Sequence, residues 1–274
     1  MKTLGVVPLA AIALVSQGQS SRATYEVTFE SLWSPAAHAG AYVPSAHFSP
    51  LIGGVHSDDV GFWAPGELAS EGIERMAETG NRNRLRNEIN DAIAAGTAES
   101  LVQGIGIDDF PDTTSIVFEA SAAGTQGHDR LTLVTMIAPS PDWFIGTHGL
   151  PLRDANGEWL DEIVVDLDAY DSGTDSGTGL TSPDADTNPA EPIRNIQGEA
   201  PFTGLPVLGR FAIRLLSIDV CQADVNSDGV LTPADFNAWV QAFNAQNDTA
   251  DQNGDGQVEP ADFNAWVVNF NAGC

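Results

Sequence analysis

Positive charge is what this chain most lacks. Lys2 is its single lysine, and 11 Lys+Arg face 38 Asp+Glu, for a formal net charge of −27. Sequence-blind nucleic-acid binding needs a cationic surface and is excluded. No apolar run reaches the roughly 20 residues that span a bilayer, so no transmembrane segment is expected. Signatures of common catalysts are missing as well. There is no Gly-x-Ser-x-Gly elbow, no His-Glu-x-x-His pair and no glycine-rich phosphate loop. His47, His56, Asp58 and Asp59 are spaced too loosely for a zinc centre. Cysteine is scarce, with 2 in the whole chain, and neither sits in a nucleophile motif. These absences argue for a protein that is not an enzyme.

What is present begins with an export signature. Residues 1–20 read as a secretory signal: Lys2, an apolar run from Leu4 to Val15, then the small residues Ser16, Gly18 and Ser20. The mature protein is therefore expected outside the cell. The next signal is a repeat near the other end. Asp224-Val-Asn-Ser-Asp-Gly-Val-Leu-Thr-Pro-Ala-Asp235 returns as Asp251-Gln-Asn-Gly-Asp-Gly-Gln-Val-Glu-Pro-Ala-Asp262. Oxygen-bearing side chains fall at loop positions 1, 3, 5, 9 and 12, with Gly229 and Gly256 at position 6. That is the spacing of an EF-hand calcium loop, in which position 7 contributes only its carbonyl. The expected ligands are Asp224, Asn226, Asp228, Val230, Thr232 and Asp235 in one loop. In the other they are Asp251, Asn253, Asp255, Gln257, Glu259 and Asp262. Two calcium ions follow.

Each loop feeds an amphipathic helix. Phe236, Trp239, Val240 and Phe243 form one apolar stripe, and Phe263, Trp266, Val267 and Phe270 form its copy. Thr232 is placed to cap the first helix, with Pro233 at its first position. No helix-length segment precedes either loop, so these are loop–helix halves. Residues 221–274 thus resemble a type I dockerin, a duplicated calcium module that docks secreted proteins onto cohesin scaffolds. Cohesin binders carry hydroxyl-rich residues at loop positions 10 and 11, whereas Pro233-Ala234 and Pro260-Ala261 stand here. The partner implied is accordingly a cohesin-like or an envelope anchor. The Asn-Ala-Gly-Cys274 ending is similar to that of planctomycete-type secreted proteins, which implies a bacterial source. Cys221 and Cys274 bracket the module, and pairing them would clasp its ends, worth roughly 4 kcal/mol in the chain-entropy model.

Between signal and module lies enough chain for one full domain. Its pattern is mostly β. Tyr25, Val27 and Phe29 alternate with polar residues, and Ser115 to Ala120, Leu131 to Ile137, Trp159 to Leu167 and Val207 to Ile218 are further strand candidates. A polar, helix-prone stretch runs from about Pro65 to Ala95, with Leu85, Ile89 and Ile93 stepping by four. Asp171 to Pro192 reads as a long loop. Trp33, Trp63, Trp143 and Trp159 are expected in the core. The fold expected is a β-sandwich with a helical insertion, followed by a small all-α calcium domain.

Several motifs in order carry a second resemblance. They are Tyr25-Glu-Val-Thr-Phe29, Ala46-His-Phe-Ser-Pro-Leu51, Phe62-Trp63, Ala69-Ser-Glu-Gly72, Ala138-Pro-Ser-Pro-Asp-Trp-Phe144, Tyr170-Asp-Ser-Gly-Thr-Asp-Ser-Gly177 and Leu208-Gly-Arg-Phe211. Residues 24–217 resemble spondin N-terminal domains. The resemblance implies an extracellular-matrix or adhesion role, a β-sandwich and one further calcium ion. By motif, that ion falls to Asp142, Asp171 and Asp175, with Glu119 as a fourth ligand from a preceding strand.

The sequence therefore points to a secreted, calcium-binding adhesion protein that recognises an extracellular protein or glycan and is held in place by a dockerin-like tag. The alternative is an enzyme or accessory subunit of a dockerin–cohesin polysaccharide-degrading complex.

Overall fold

The computed structural model describes residues 21–108, 112–122 and 127–273; the expected signal and Cys274 lie outside them. The described chain divides into two compact units, Ser21–Asp219 and one beginning at Val220. In the first, β1 (Ser21–Ser31), β2 (His47–Phe48) and β3 (Ile52–His56) precede two helices, α1 (Glu71–Thr79) and α2 (Asn83–Ala94). There follow β4 (Ala98–Gln103), β5 (Thr113–Ala122), β6 (Arg130–Ala138) and β7 (Trp143–Pro151). Then come β8 (Glu162–Leu167), β9 (Ala169–Asp171), β10 (Arg194–Asn195) and β11 (Gly209–Val220). The second unit holds α3 (Pro233–Ala245), a 3-10 turn at Asp248–Ala250 and α4 (Ala261–Ala272).

The strands form two sheets. One runs β5-β1-β11-β8; the other runs β10-β9-β7-β6-β3-β4, with β2 beside β6. β1 shows why they stack. Ala23, Tyr25, Val27 and Phe29 point one way and are buried, while Arg22 is exposed and Thr24, Glu26 and Thr28 are only half-covered. Tyr25, Phe29, Phe118 and Phe211 of the smaller sheet meet Leu131, Leu133, Trp143 and Ile145 of the larger in one cluster. Trp33 and Trp143 lie in this cluster, and Trp159 packs at its margin. β6 is buried along nearly its whole length because its other face is covered as well. There α1 and α2 contribute Ile73, Met76, Leu85 and Ile89 against Ile52, Val134, Met136 and Phe144, with Trp63 between.

The helix-prone stretch resolves into the two helices α1 and α2. Ser70 Oγ caps α1 by accepting from Ile73 N, and Gly80, at φ +67°, ends it in a left-handed turn that lets α2 fold back. Leu85 and Ile89 are buried on α2 as their spacing requires. Two other boundaries differ from expectation. The strand expected from Trp159 begins at Glu162, and Asp171 belongs to β9 rather than to a loop.

The second unit is small. Trp239, Ala250 and Trp266 are its buried centre. Trp239 Nε1 donates to Ala250 O at 3.1 Å, directly before the second acidic loop. Trp266 Nε1 donates to Ala223 O at 3.2 Å, directly before the first. Each helix thus holds the start of the loop that feeds the other.

Candidate functional site

Three of the predicted carboxylates lie on adjoining segments at one end of the larger sheet, without their side chains being gathered into one group. Asp142 immediately precedes β7, and antiparallel pairing sets Trp143 opposite Asp171 of β9. All three aspartates are nearly inaccessible: Asp142 is 0 % exposed, Asp171 6 % and Asp175 5 %. Asp142 Oδ2 gathers the segment after β9. It accepts from Thr174 N at 2.8 Å, Asp175 N at 3.1 Å and Ser172 Oγ at 3.0 Å. Its other oxygen, Oδ1, is buried and has no hydrogen-bond partner. A buried carboxylate oxygen without a donor or cation costs several kcal/mol.

The neighbours are spoken for to a greater degree. Asp171 Oδ1 accepts from Gly173 N at 2.9 Å, and Oδ2 lies 2.9 Å from Arg194 Nη2. Burial, and then the charge of Asp142, raise the Asp171 carboxyl above its usual range, against the pull of Arg194 and Gly173 N. Asp175 accepts from Gly177 N at 2.6 Å and from Ala185 N at 2.7 Å. Gly173 is obligatory: its φ is +77°, and a Cβ there would sit 2.1 Å from Glu191 O.

Glu119 does not join them. On β5 the odd-numbered residues face away from the core, so Glu119 lies on the outside of the smaller sheet, where Arg22 Nη1 holds its Oε2 at 3.0 Å. The family resemblance named it as a ligand from a preceding strand, and the structure sets that strand, β5, in the smaller sheet. Glu78, which carried no sequence signal, is the acidic residue that does approach. It stands in the last turn of α1, and its carboxyl is raised by burial and by Glu74 and Asp142, against a hydrogen bond from Thr174 and the charge of Arg75. Arg194 was equally invisible in sequence, since only the β9–β10 pairing brings it opposite Asp171.

The second unit repeats several of its loop hydrogen bonds. Asp224 Oδ2 accepts from Gly229 N at 2.9 Å, and Asp251 Oδ2 from Gly256 N at 2.8 Å. Asp228 Oδ1 accepts from Val230 N, and Asp255 Oδ1 from Gln257 N, both at 2.9 Å. Asn226 and Asn253 donate to Asp228 and Asp255. Asp235 Oδ2 and Asp262 Oδ2 accept from Thr232 N and Glu259 N, both at 2.8 Å. Positions 4 and 6 are left-handed in both loops, at Ser227 (φ 57°) and Gly254 (73°), and at Gly229 (84°) and Gly256 (83°). Asp224, Asp235 and Asp262 are wholly buried. As they stand, no three His, Cys, Asp or Glu side chains among the described residues are gathered as a metal-holding group. Their donor chemistry still suits a hard cation: a carboxylate has about four lone pairs, and amide donors occupy only some of them.

The zinc set stays apart for ordinary reasons. His56 is buried, its ring nitrogens 2.8 Å from Ser57 O and Thr132 Oγ1. Asp58 pairs with Arg130.

Comparison with known proteins places the first unit. The family model described as Spondin_N matches residues 23–204. The chain belongs to the Spondin_N family. It is 36 % identical over 185 residues to spondin-2 of Rattus norvegicus and 33 % over 186 residues to spondin-2 of Homo sapiens; each alignment takes in 65 % of this chain and 54 % of that protein. Against spondin-1 of Rattus norvegicus the identity is 33 % over 177 residues, covering 63 % of this chain and 21 % of spondin-1. The chain thus spans about half of spondin-2 and about a fifth of spondin-1. Asp142, Asp171 and Asp175 all fall inside the Spondin_N match, and the unit from Val220 falls outside it.

Proposed function

We propose that this chain is a secreted, calcium-binding adhesion or interaction protein of the spondin type, carrying a dockerin-like tag that holds it to an extracellular assembly or surface. The observation that carries the metal reading is Asp142, a fully buried carboxylate with one oxygen unpaired, coupled to Asp171 and Glu78. Asp142, Asp171 and Asp175 would hold the ion, and Arg194 would exchange its hold on Asp171 for the pair with Glu199. Calcium would neutralise a buried excess of negative charge and fix the segment from Asp171 to Asp186 as a recognition surface for a protein or glycan ligand.

Support for the tag comes from the duplicated loops, each ready to offer carboxylates, an asparagine and a backbone carbonyl (Val230 or Gln257) to one ion. Membership in the Spondin_N family supports export and adhesion, and no helix among the described residues is long and apolar enough to cross a membrane. The hydrolase-complex alternative draws no support from any of the relatives. The deciding experiment is calorimetric calcium titration of the full chain beside an adhesion assay. Three sites are expected. Asp142→Asn should lose one of them and lower adhesion, leaving two. A variant that keeps three sites removes Asp142 from the reading; lost calcium with adhesion intact reduces that ion to a structural role.

A further inference from the structure

One side of the sandwich lies between β4 and β5, each at the edge of its sheet. Gly104 N donates to Leu51 O, and Ser31 N to Asp112 O, which sets the phase of both ladders. Antiparallel pairs alternate between bonded and outward-facing backbone. Leu101 and Gln103 therefore turn their N–H and C=O away from β3, and Val117 and Glu119 turn theirs away from β1. The same phase faces Ser121 outward, and its N–H indeed reaches His128 O at 3.1 Å. The edge of β5 is thus partly used, whereas Leu101 and Gln103 of β4 border a groove of about 690 Å³.

The groove narrows at both ends and carries an unbalanced charge. At one end the Ile116 side chain of β5 packs over Gly104, where a Cβ would meet it at 2.7 Å. At the other, Arg22 Nη1 spans Glu99 Oε1 at 2.8 Å and Glu119 Oε2 at 3.0 Å, one cation for two carboxylates. Glu99 Oε2 and Ser100 Oγ are buried without hydrogen-bond partners. Val117, 58 % exposed, supplies an apolar wall. A strand edge flanked by acidic residues is often no more than protection against aggregation. Protection alone accounts for neither a groove beside the edge nor a buried, unpaired carboxylate oxygen in it.

We infer that the groove binds an extended peptide segment of a partner protein, added as a strand along β4 at Leu101 and Gln103. Its apolar side chains alternate with lysine or arginine, one of which reaches Glu99. Backbone hydrogen bonds supply affinity and the alternating side chains supply selection. The inference is independent of calcium, because the groove includes none of Asp142, Asp171 or Asp175.

The test is amide hydrogen exchange and fluorescence anisotropy on the full chain, with an octapeptide alternating valine and lysine as probe. Saturating probe should slow exchange at Leu101 and Gln103 by about tenfold or more, and Glu99→Gln should weaken binding about tenfold, as loss of a charge-assisted hydrogen bond does. Val117→Glu should weaken it as well, and it serves as the second variant if Glu99→Gln fails to fold. A valine–glutamate octapeptide should not bind. Unchanged exchange at both amides, equal affinity for the acidic peptide, or unaltered affinity in both variants overturns the inference. Protection of the same amides by a neutral oligosaccharide, with none by the peptide, overturns it in favour of a sugar site.

Discussion

At the scale of single residues, two buried groups are held by their surroundings in opposite ways. Asp142 serves four donors through one oxygen and none through the other. Asp142→Ala strands Thr174 N and Asp175 N, leaving Ser172 Oγ only its bond with Thr174 Oγ1, and should cost about 3 kcal/mol in calcium-free urea denaturation. Asp142→Asn keeps the accepting oxygen and replaces the unpaired one with a donor, so apo stability should stay within about 1 kcal/mol while calcium is lost. Equal destabilisation by both would show that the charge, not the acceptor, organises the segment. His56 is the second case. Burial lowers its pKa, and Arg130 lowers it further, against the Ser57 and Val60 backbone and Asp58. An unfolded chain therefore takes up a proton that the folded one refuses. Stability from this residue is complete above about pH 6.5 and falls as pH drops through that value toward the depressed folded pKa. Urea midpoints at about pH 7.5 and 5.5 should differ less in His56→Gln than in the unaltered chain; an unchanged slope would clear His56.

At the scale of elements, backbone shape decides. Gly173 links β9 to the Asp175 turn in a left-handed conformation with Glu191 O against it. Gly173→Ala should destabilise the first unit by at least about 1–3 kcal/mol and lower calcium affinity with it. A wild-type melting temperature would mean the segment relaxes freely. In the second unit Thr232 and Asp235 form a reciprocal cap at the start of α3. Thr232→Ala should cost about 1 kcal/mol, seen as reduced helicity. Wholly buried Asp224, Asp235 and Asp262 predict that chelation melts α3 and α4, with far-ultraviolet dichroism losing helix and keeping sheet. Helicity indifferent to chelator would contradict the calcium reading of these loops.

For the molecule as a whole, two compact units predict two calorimetric transitions, the smaller moving with calcium and the larger with Asp142. Cys221 is disulfide-bonded, and its expected partner Cys274 lies outside the described residues. Intact mass under non-reducing conditions should show a monomer lacking free thiol, and reduction should lower the smaller transition, by roughly 4 kcal/mol at most for a loop of this length. A disulfide-linked dimer would reassign Cys274 to attachment. With a net charge of −27, salt should raise the stability of the calcium-free chain by screening self-repulsion.

Much of this was legible in the residues themselves. Period-two alternation marked β1, and the apolar run Leu131 to Ile137 marked β6. The repeated twelve-residue loops and the Thr232-Pro233 start of α3 needed only local spacing. Each of these is decided within a few residues by side-chain direction or by the first turn of a helix. β3 and β4 were not legible, because Gly53-Gly54 has little strand propensity. β3 fits beside β6 because only glycine fits where a Cβ on Gly53 would lie 1.8 Å from Thr132 O, a constraint set by a strand distant in sequence. The candidate site divides the same way. The acidic motifs named Asp142, Asp171 and Asp175, but only the β7–β9 pairing made Asp142 and Asp171 neighbours and buried them. Only tertiary packing sent Glu119 to Arg22 and brought Glu78 and Arg194 in. Local spacing determines which groups a segment can offer; which charges share a low-dielectric space is a long-range property that only the folded chain decides.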